Sequence, residues 1–199
     1  MPLPFARTIV AALTQALAWL GWVEGKNIRI DYRFAAGDLA LFKAYAAELV
    51  GLAPDAILAS TAPALAALRQ QASTIPIVFV IVPDPVGRGL VASLARPGGN
   101  ITGFASYDAS IIGKWTQLFK EAVPEVTRAS IIFNPDTALA PPLDRVITAA
   151  PSSGVTLTLA PVHDDAGKAV AAQAREPAGG LLILPDSFNV AYSGAIVAL

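Results

Sequence analysis

The stretch Ile75-Pro76-Ile77-Val78-Phe79-Val80-Ile81-Val82 is apolar at almost every position, and it narrows the possible folds more than any other part of the chain. A strand that is apolar on both faces must be covered on both, which calls for a parallel sheet with helices on either side. Upstream, Ala56–Ala59 forms a short apolar run that ends in Ser60-Thr61, after which Leu65 and Leu68 stand three apart as on a helix. Strand, crossover helix and strand together make one βαβ unit. Open α/β sheets bind ligands beyond the carboxyl ends of their strands. The polar clusters at those ends are Ser60-Thr61 and Asp84, so the unit reads as the floor of a small-molecule pocket.

The 199 residues are 54% apolar and 15% charged, enough to build a sizeable core and too apolar for a disordered chain. A formal net charge of −1 with no basic stripe argues against nucleic acid as a partner. With no cysteine and one histidine, His163, the usual zinc sets and two-histidine relays are excluded. His163 itself, beside Asp164 and Asp165, reads as part of a solvated loop. The longest apolar run is far short of the roughly 20 residues a membrane helix needs.

Before the central unit, Phe5, Ile9, Leu13, Leu17 and Leu20 mark one face of a helix that Gly21 is placed to cap. Ile28 to Phe34 alternates between apolar and charged residues and predicts a strand with one wet face. Asp38 is placed to N-cap a helix whose buried face is Phe42, Ala46, Leu49 and Val50. After the unit, Val86 to Leu94 predicts a short helix, Arg96 to Asn100 a turn and Ile101 to Ala105 a strand. A second series then begins. It has a helix around Ile112, Trp115, Leu118, Phe119 and Ala122 stopped by Pro124, and a strand Ala129–Phe133 ending at Asn134. A helical segment over 143–150, a strand at Val155–Leu159, a helix over 165–175 and a strand Leu181–Leu184 ending at Asp186 complete it. The fold class expected is α/β, with two Rossmann-like lobes of parallel sheet flanked by helices, residues 1–106 and 107–199.

Ser60-Thr61 reads either as an N-cap or as an anion seat made of free amides and the positive helix end. Asp84-Pro85 reads as a turn or as a carboxylate at the pocket mouth, and Asp186 as a helix cap or as a second carboxylate from the other lobe. Phe104, Tyr107, Phe188 and Tyr192 lie near strand ends, where most would be core and one or two would wall a pocket. Gly87-Arg88-Gly89 through Ala92 matches a dinucleotide fingerprint, with Asp108 downstream. In that fingerprint the first glycine follows the strand directly, whereas Pro83, Asp84 and Pro85 intervene here. An NAD-dependent oxidoreductase built on Gly87, Gly89 and Asp108 is thus the second reading.

Three runs, LGWVEGKNIRIDYRFAAGD, STIPIVFVIVPDPVGRGLVASLARPGGNITGF and KWTQLFKEAVPEVTRASIIFNP, carry a resemblance. They are similar to the substrate-binding components of bacterial ABC transporters, in the group with tryptophan- and tyrosine-type binding proteins. The resemblance implies a periplasmic-binding-protein type I fold and no catalysis or cofactor. The implied ligand is a small carboxylate-bearing solute such as an aromatic amino acid, held in the cleft between the lobes. It also implies a permease as partner and a periplasmic location, although no signal peptide is visible at Met1. A ligand-sensing domain of a regulator has the same fold, but no DNA-reading helix pair precedes it. Carried over by position, Ser60, Thr61 and the amide of Ala62 match the segment that receives the ligand carboxylate. Asp84 matches the cleft aspartate, and Asp186 the one facing an α-amino group. With Pro85, Tyr107, Asn134 and Phe188 at neighbouring strand ends, these are the candidate binding residues; no metal ligand is expected. Relative to the family the chain reads as lacking its first strand and the end of its second lobe, which predicts open sheet edges and a homodimer through them.

Overall fold

The computed structural model describes residues 4–107, 111–138, 147, 154–163 and 179–197. Two three-stranded parallel sheets organise them. In the first, β1 (Ile57–Ser60), β2 (Ile77–Val82) and β3 (Ile101–Ala105) lie in that order, Ile57 level with Ile77 and Ile77 with Ile101. In the second, β4 (Arg128–Phe133) is central, between β5 (Thr156–Pro161) and β6 (Gly179–Ile183).

The all-apolar run does become the central strand of its sheet. Ile77, Phe79 and Val82 are buried and pack with Ile57, Leu65, Leu68 and Ile101. Leu65 and Leu68 come from α3 (Ala62–Gln71), the crossover helix. Each such side chain contributes about 1.5–3 kcal/mol on burial. In the second sheet β4 is buried on both faces. Ile131 and Phe133 meet Ile112 of α4 (Ile111–Ala122), while Ile132 on the opposite face meets Phe188, Val162 and Ile196. Phe188 belongs to the short helix α6 (Ser187–Ala191) and Ile196 to α7 (Ser193–Val197); α5 is the single turn Pro135–Ala138.

The caps behave as their residue types require. Helix α1 (Pro4–Trp19) closes with Gly21 at φ +86°, the Gly21 amide donating to the Ala18 carbonyl and the Trp22 amide to that of Leu17. This is the left-handed closure that glycine permits. The Asp38 carboxylate accepts the Ala40 and Leu41 amides at 2.8 and 3.1 Å and starts α2 (Leu39–Gly51).

Two expectations are corrected. Ile28–Phe34 is not a ladder strand: its only pairing among the described residues is an isolated bridge between Glu24 and Ile28. Alternation marks a segment with two unlike faces, but a strand also needs a neighbour at hydrogen-bonding distance. Val86–Leu94 is not a helix either. It is a chain of turns in which Asp84 and Val86 carbonyls accept the Arg88 and Gly89 amides, with Gly89 at φ +64°. Pro85 and the two glycines favour that turn chemistry over helix. The helical segments expected over 143–150 and 165–175 lie outside the described residues, apart from a helical Ile147.

Candidate functional site

Three non-glycine residues at the carboxyl end of the first sheet have positive φ: Thr61 at +86°, Ile81 at +56° and Asp84 at +42°. For β-branched side chains this region is a true outlier. Ile81 sits where the β2–β3 register slips between Val80 and Val82, a bulge that bends the strand end. Strain of this kind, about 1–3 kcal/mol per residue, collects where a structure must present a surface.

The surface presented is the wall of a cavity of about 890 Å³. One arm of it lies between α1, the extended Ile28–Phe34 and the outer strand β1, lined by apolar residues of α1 together with Arg29, Asp31 and Arg33. The other arm is polar and lies between the strand ends of both sheets, lined by Ser60, Thr61, Arg88, Tyr107, Thr137 and Asp186.

Thr61 stands at the N-cap of α3 but makes no capping bond, and its buried Oγ1 has no hydrogen-bond partner. Its amide is used by the Val80 carbonyl at 3.2 Å. Pro63 at the helix start brings no N–H, so the amides of buried Ala62 and half-buried Ala64 make up the positive end of the helix.

Asp186 faces this end from the second sheet, with 8% of its surface exposed. Its carboxylate accepts the Asn134 amide at 3.1 Å, the Asn189 amide at 2.8 Å and the Asn189 Nδ2 at 3.1 Å, with a long 3.4 Å bond from Thr137 Oγ1. Burial pushes its pKa above the usual carboxylate range, and the hydrogen bonds pull against that shift. It therefore caps α6 and walls the cavity at once. Asn134 completes the knot, its Oδ1 accepting the Asp136 and Thr137 amides at 2.9 and 3.0 Å.

Arg88 projects from the turn after β2, its Nε donating to the Pro83 carbonyl at 2.7 Å. Burial lowers its pKa, while Tyr107, Asp84 and Asp186 all lie within electrostatic reach and favour the charge. Tyr107 is pushed up to about 12, mainly by burial, and its ring tilts against Trp115 at 5.6 Å.

Of the nine candidate residues, Ser60, Thr61, Ala62, Tyr107 and Asp186 line the cavity. Asp84 folds back instead: its Oδ1 accepts the Gly87 amide at 3.0 Å, which is the turn reading. Pro85 is fully buried, Asn134 works behind Asp186, and Phe188 packs in the core against Tyr192 rather than walling the pocket. Phe104 is exposed. His163 is exposed and pairs with Asp136 at 3.1 Å; among the described residues no group of acids and histidines is arranged to hold a metal. The dinucleotide fingerprint lacks its helix, because Gly87-Arg88-Gly89 lies in turns; Asp108 lies outside the described residues. Arg88 and Thr137 were not among the candidates. The signal for Arg88 was a charged residue in the loop leaving an all-apolar strand of a chain that is only 15% charged.

Residues 4–197 match the family model described as ABC transporter substrate binding protein. The chain belongs to this family. A tyrosine-binding protein of Clostridioides difficile is 35% identical over 120 residues, 60% of this chain. That match spans 34% of the relative's own length. Among solved structures, a conserved domain protein from Vibrio cholerae superposes with a TM-score of 0.82 at 34% identity, over 94% of this chain and 63% of that one. The ABC domain from Streptococcus pneumonia, solved in complex with L-Trp, superposes at 0.84 with 20% identity, over 98% of this chain and 66% of that one. At that identity the likeness shows the fold, the α/β architecture of the substrate-binding proteins. No helix among the described residues is long and apolar enough to cross a membrane.

Proposed function

We propose that the chain is the solute-binding part of an ABC importer and holds a small amino acid, of the aromatic class, in the polar arm of the cavity. The observation that carries this reading is the pairing of unlike walls. The amino end of α3, with the unpartnered Thr61 hydroxyl, offers a seat for a carboxylate, and Asp186 offers a fixed negative charge to an ammonium. Ser60, Ala62 and Tyr107 complete the walls. Residues 1–106 and 107–199 act as two lobes, and closing them removes water from around both charges. The tyrosine-binding relative supports the aromatic class, and the apolar lining continuous with the polar arm suits a ring. The chain works in the periplasm, delivers its solute to a permease and performs no catalysis. The outer edge of β1, paired on one side only among the described residues, is where a second copy would pair.

A thermal-shift panel tests the reading. L-Tyrosine or L-tryptophan at 100 times its dissociation constant is expected to add about 2.7 kcal/mol, a rise of a few degrees in Tm, while NAD(H) and NADP(H) add nothing. A shift with a dinucleotide and none with any amino acid reverses the ranking.

A further inference from the structure

We infer that the arm of the cavity between α1 and β1 takes up one extended peptide segment with uncharged, apolar side chains, added as a strand parallel to β1. The site goes beyond the amino-acid reading and does not depend on it, because the solute occupies the polar arm. The occupant is defined by the backbone edges, the side chains and the charges that line this arm.

The Ile57 amide donates to the Pro76 carbonyl at 2.9 Å and the Thr61 amide to that of Val80 at 3.2 Å. Backbone groups alternate in direction along a strand, so those of Leu58 and Ser60 point away from β2, and both residues line the cavity. The same arm is lined by Ile28–Phe34. Among the described residues, no amide from Arg29 to Phe34 donates to another backbone carbonyl. Two unpaired backbone edges on one arm call for an occupant with donors and acceptors along both of its sides, which an extended peptide has. The side chains agree. From Ala6 onward no residue of α1 is buried, although Ile9, Leu13 and Leu17 line the arm. Phe42 and Leu49 of α2 line it too and are only half-buried, and Leu58 is 41% exposed. Apolar side chains on the occupant would cover them favourably. The charges set its direction. Arg29 pairs with Asp31 at 3.0 Å and Arg33 Nε with Glu48 at 2.9 Å, so this side is matched within the chain and asks for no charge in the occupant. Asp55 lines the arm at the amino end of β1 and favours a positive charge there. A strand laid parallel to β1 brings its amino end to Asp55, and it continues a sheet whose described pairings are all parallel.

The probe is the synthetic peptide Lys-Val-Ile-Val-Ala-Val, amidated at its carboxyl end so that it cannot use the carboxylate seat beside Thr61. A second version carries N-methyl groups at alternate residues, which removes backbone donors and keeps the apolar side chains. Calorimetry and amide hydrogen exchange are run on the full chain. The unmodified peptide is expected to bind and the N-methylated one to bind at least about tenfold more weakly, since several backbone hydrogen bonds are lost together. Exchange at Leu58 and Ser60 is expected to slow at least about tenfold on saturation, as their amides acquire partners. Leu13→Glu, at a half-buried position of α1, sets a charge against the apolar strand and is expected to weaken the peptide at least about tenfold, with a melting curve to confirm folding. A second copy would use the same edge, so any dimer seen by light scattering is expected to become monomer as the peptide saturates. The proposal is overturned by no binding, by equal affinity for the N-methylated peptide, or by exchange at Leu58 and Ser60 that the peptide leaves unchanged. A folded Leu13→Glu that binds as wild type does, or a dimer the peptide leaves intact, overturns it too. L-Tyrosine binding, measured alongside, reports on the polar arm, so the two readings fail separately.

Discussion

Asp186→Ala is expected to destabilise the protein by about 3–5 kcal/mol, measured by urea unfolding at pH 7. The carboxylate joins two pieces of chain: the run from the Asn134 amide after β4 to the Thr137 side chain on α5, and the start of α6. Removing it strands the amides of Asn134 and Asn189 in a buried place, and each orphaned group costs about 1–3 kcal/mol, while the Asn189 Nδ2 keeps its bonds to the Ile132 and Leu184 carbonyls. The relief of desolving one charge offsets part of that sum. Asp186→Asn keeps the shape but turns an NH₂ toward some of these donors, so an intermediate loss of about 2 kcal/mol is expected. An alanine variant within 0.5 kcal/mol of wild type, roughly the range of a neutral surface change, would mean that the knot is closed by other groups.

The same residue gives a pH dependence of unusual sign. Burial raises the Asp186 pKa above that of an unfolded chain. Between the ordinary aspartate value and the raised one, the folded state holds more protons than the unfolded state, so stability falls as pH rises. The contribution is complete below the ordinary value and gone above the raised one. Wild type should therefore lose stability across that window on going from acid toward neutral, and Asp186→Asn should lack that component. A difference curve that rises with pH would mean that the hydrogen bonds outweigh burial.

How much of this was legible beforehand depended on whether one segment or two held the information. Helix α1 with its Gly21 closure, the Asp38 cap and the βαβ unit are local, written in spacing and residue type within a few turns. The failures were of the other kind. Ile28–Phe34 has the alternation of a strand, but pairing needs a partner placed by the rest of the chain, and among the described residues none is in register. For Val86–Leu94, apolar spacing suggested a helix while Pro85, Gly87 and Gly89 specified turns, and the turn chemistry prevailed. In the site, Asp84 and Asp186 look alike in sequence, each following a strand beside a proline. One folds back on Gly87 and the other gathers donors from residues 134–137 as well as from its own helix, a difference set by tertiary contacts. Arg88 escaped attention because it stood as a variable position inside a fingerprint of glycines.

Thr61→Gly is expected to stabilise the ligand-free protein by about 1–2 kcal/mol and to weaken binding of L-tyrosine at least tenfold. Thr61 has φ +86° and ψ +156°, a conformation that belongs almost wholly to glycine and costs other residues about 1–3 kcal/mol. Its Oγ1 is buried with no partner, a further penalty of about 1–3 kcal/mol. Glycine removes both, and against them stands only its greater freedom in the unfolded chain, about 0.5–1 kcal/mol. The threonine thus makes the empty protein less stable. A hydroxyl held ready beside the free amides of α3 gains its bond when a carboxylate arrives, and a bond to a charged group is worth about 1.5–3 kcal/mol. Thr61→Ser separates the two contributions, since it keeps the hydroxyl and the strained backbone and should retain most of the affinity with little change in stability. Urea midpoints and calorimetry on the three proteins decide the matter. If glycine lowers stability, the strain is not borne by this residue. If glycine raises stability with affinity unchanged, the carboxylate sits elsewhere.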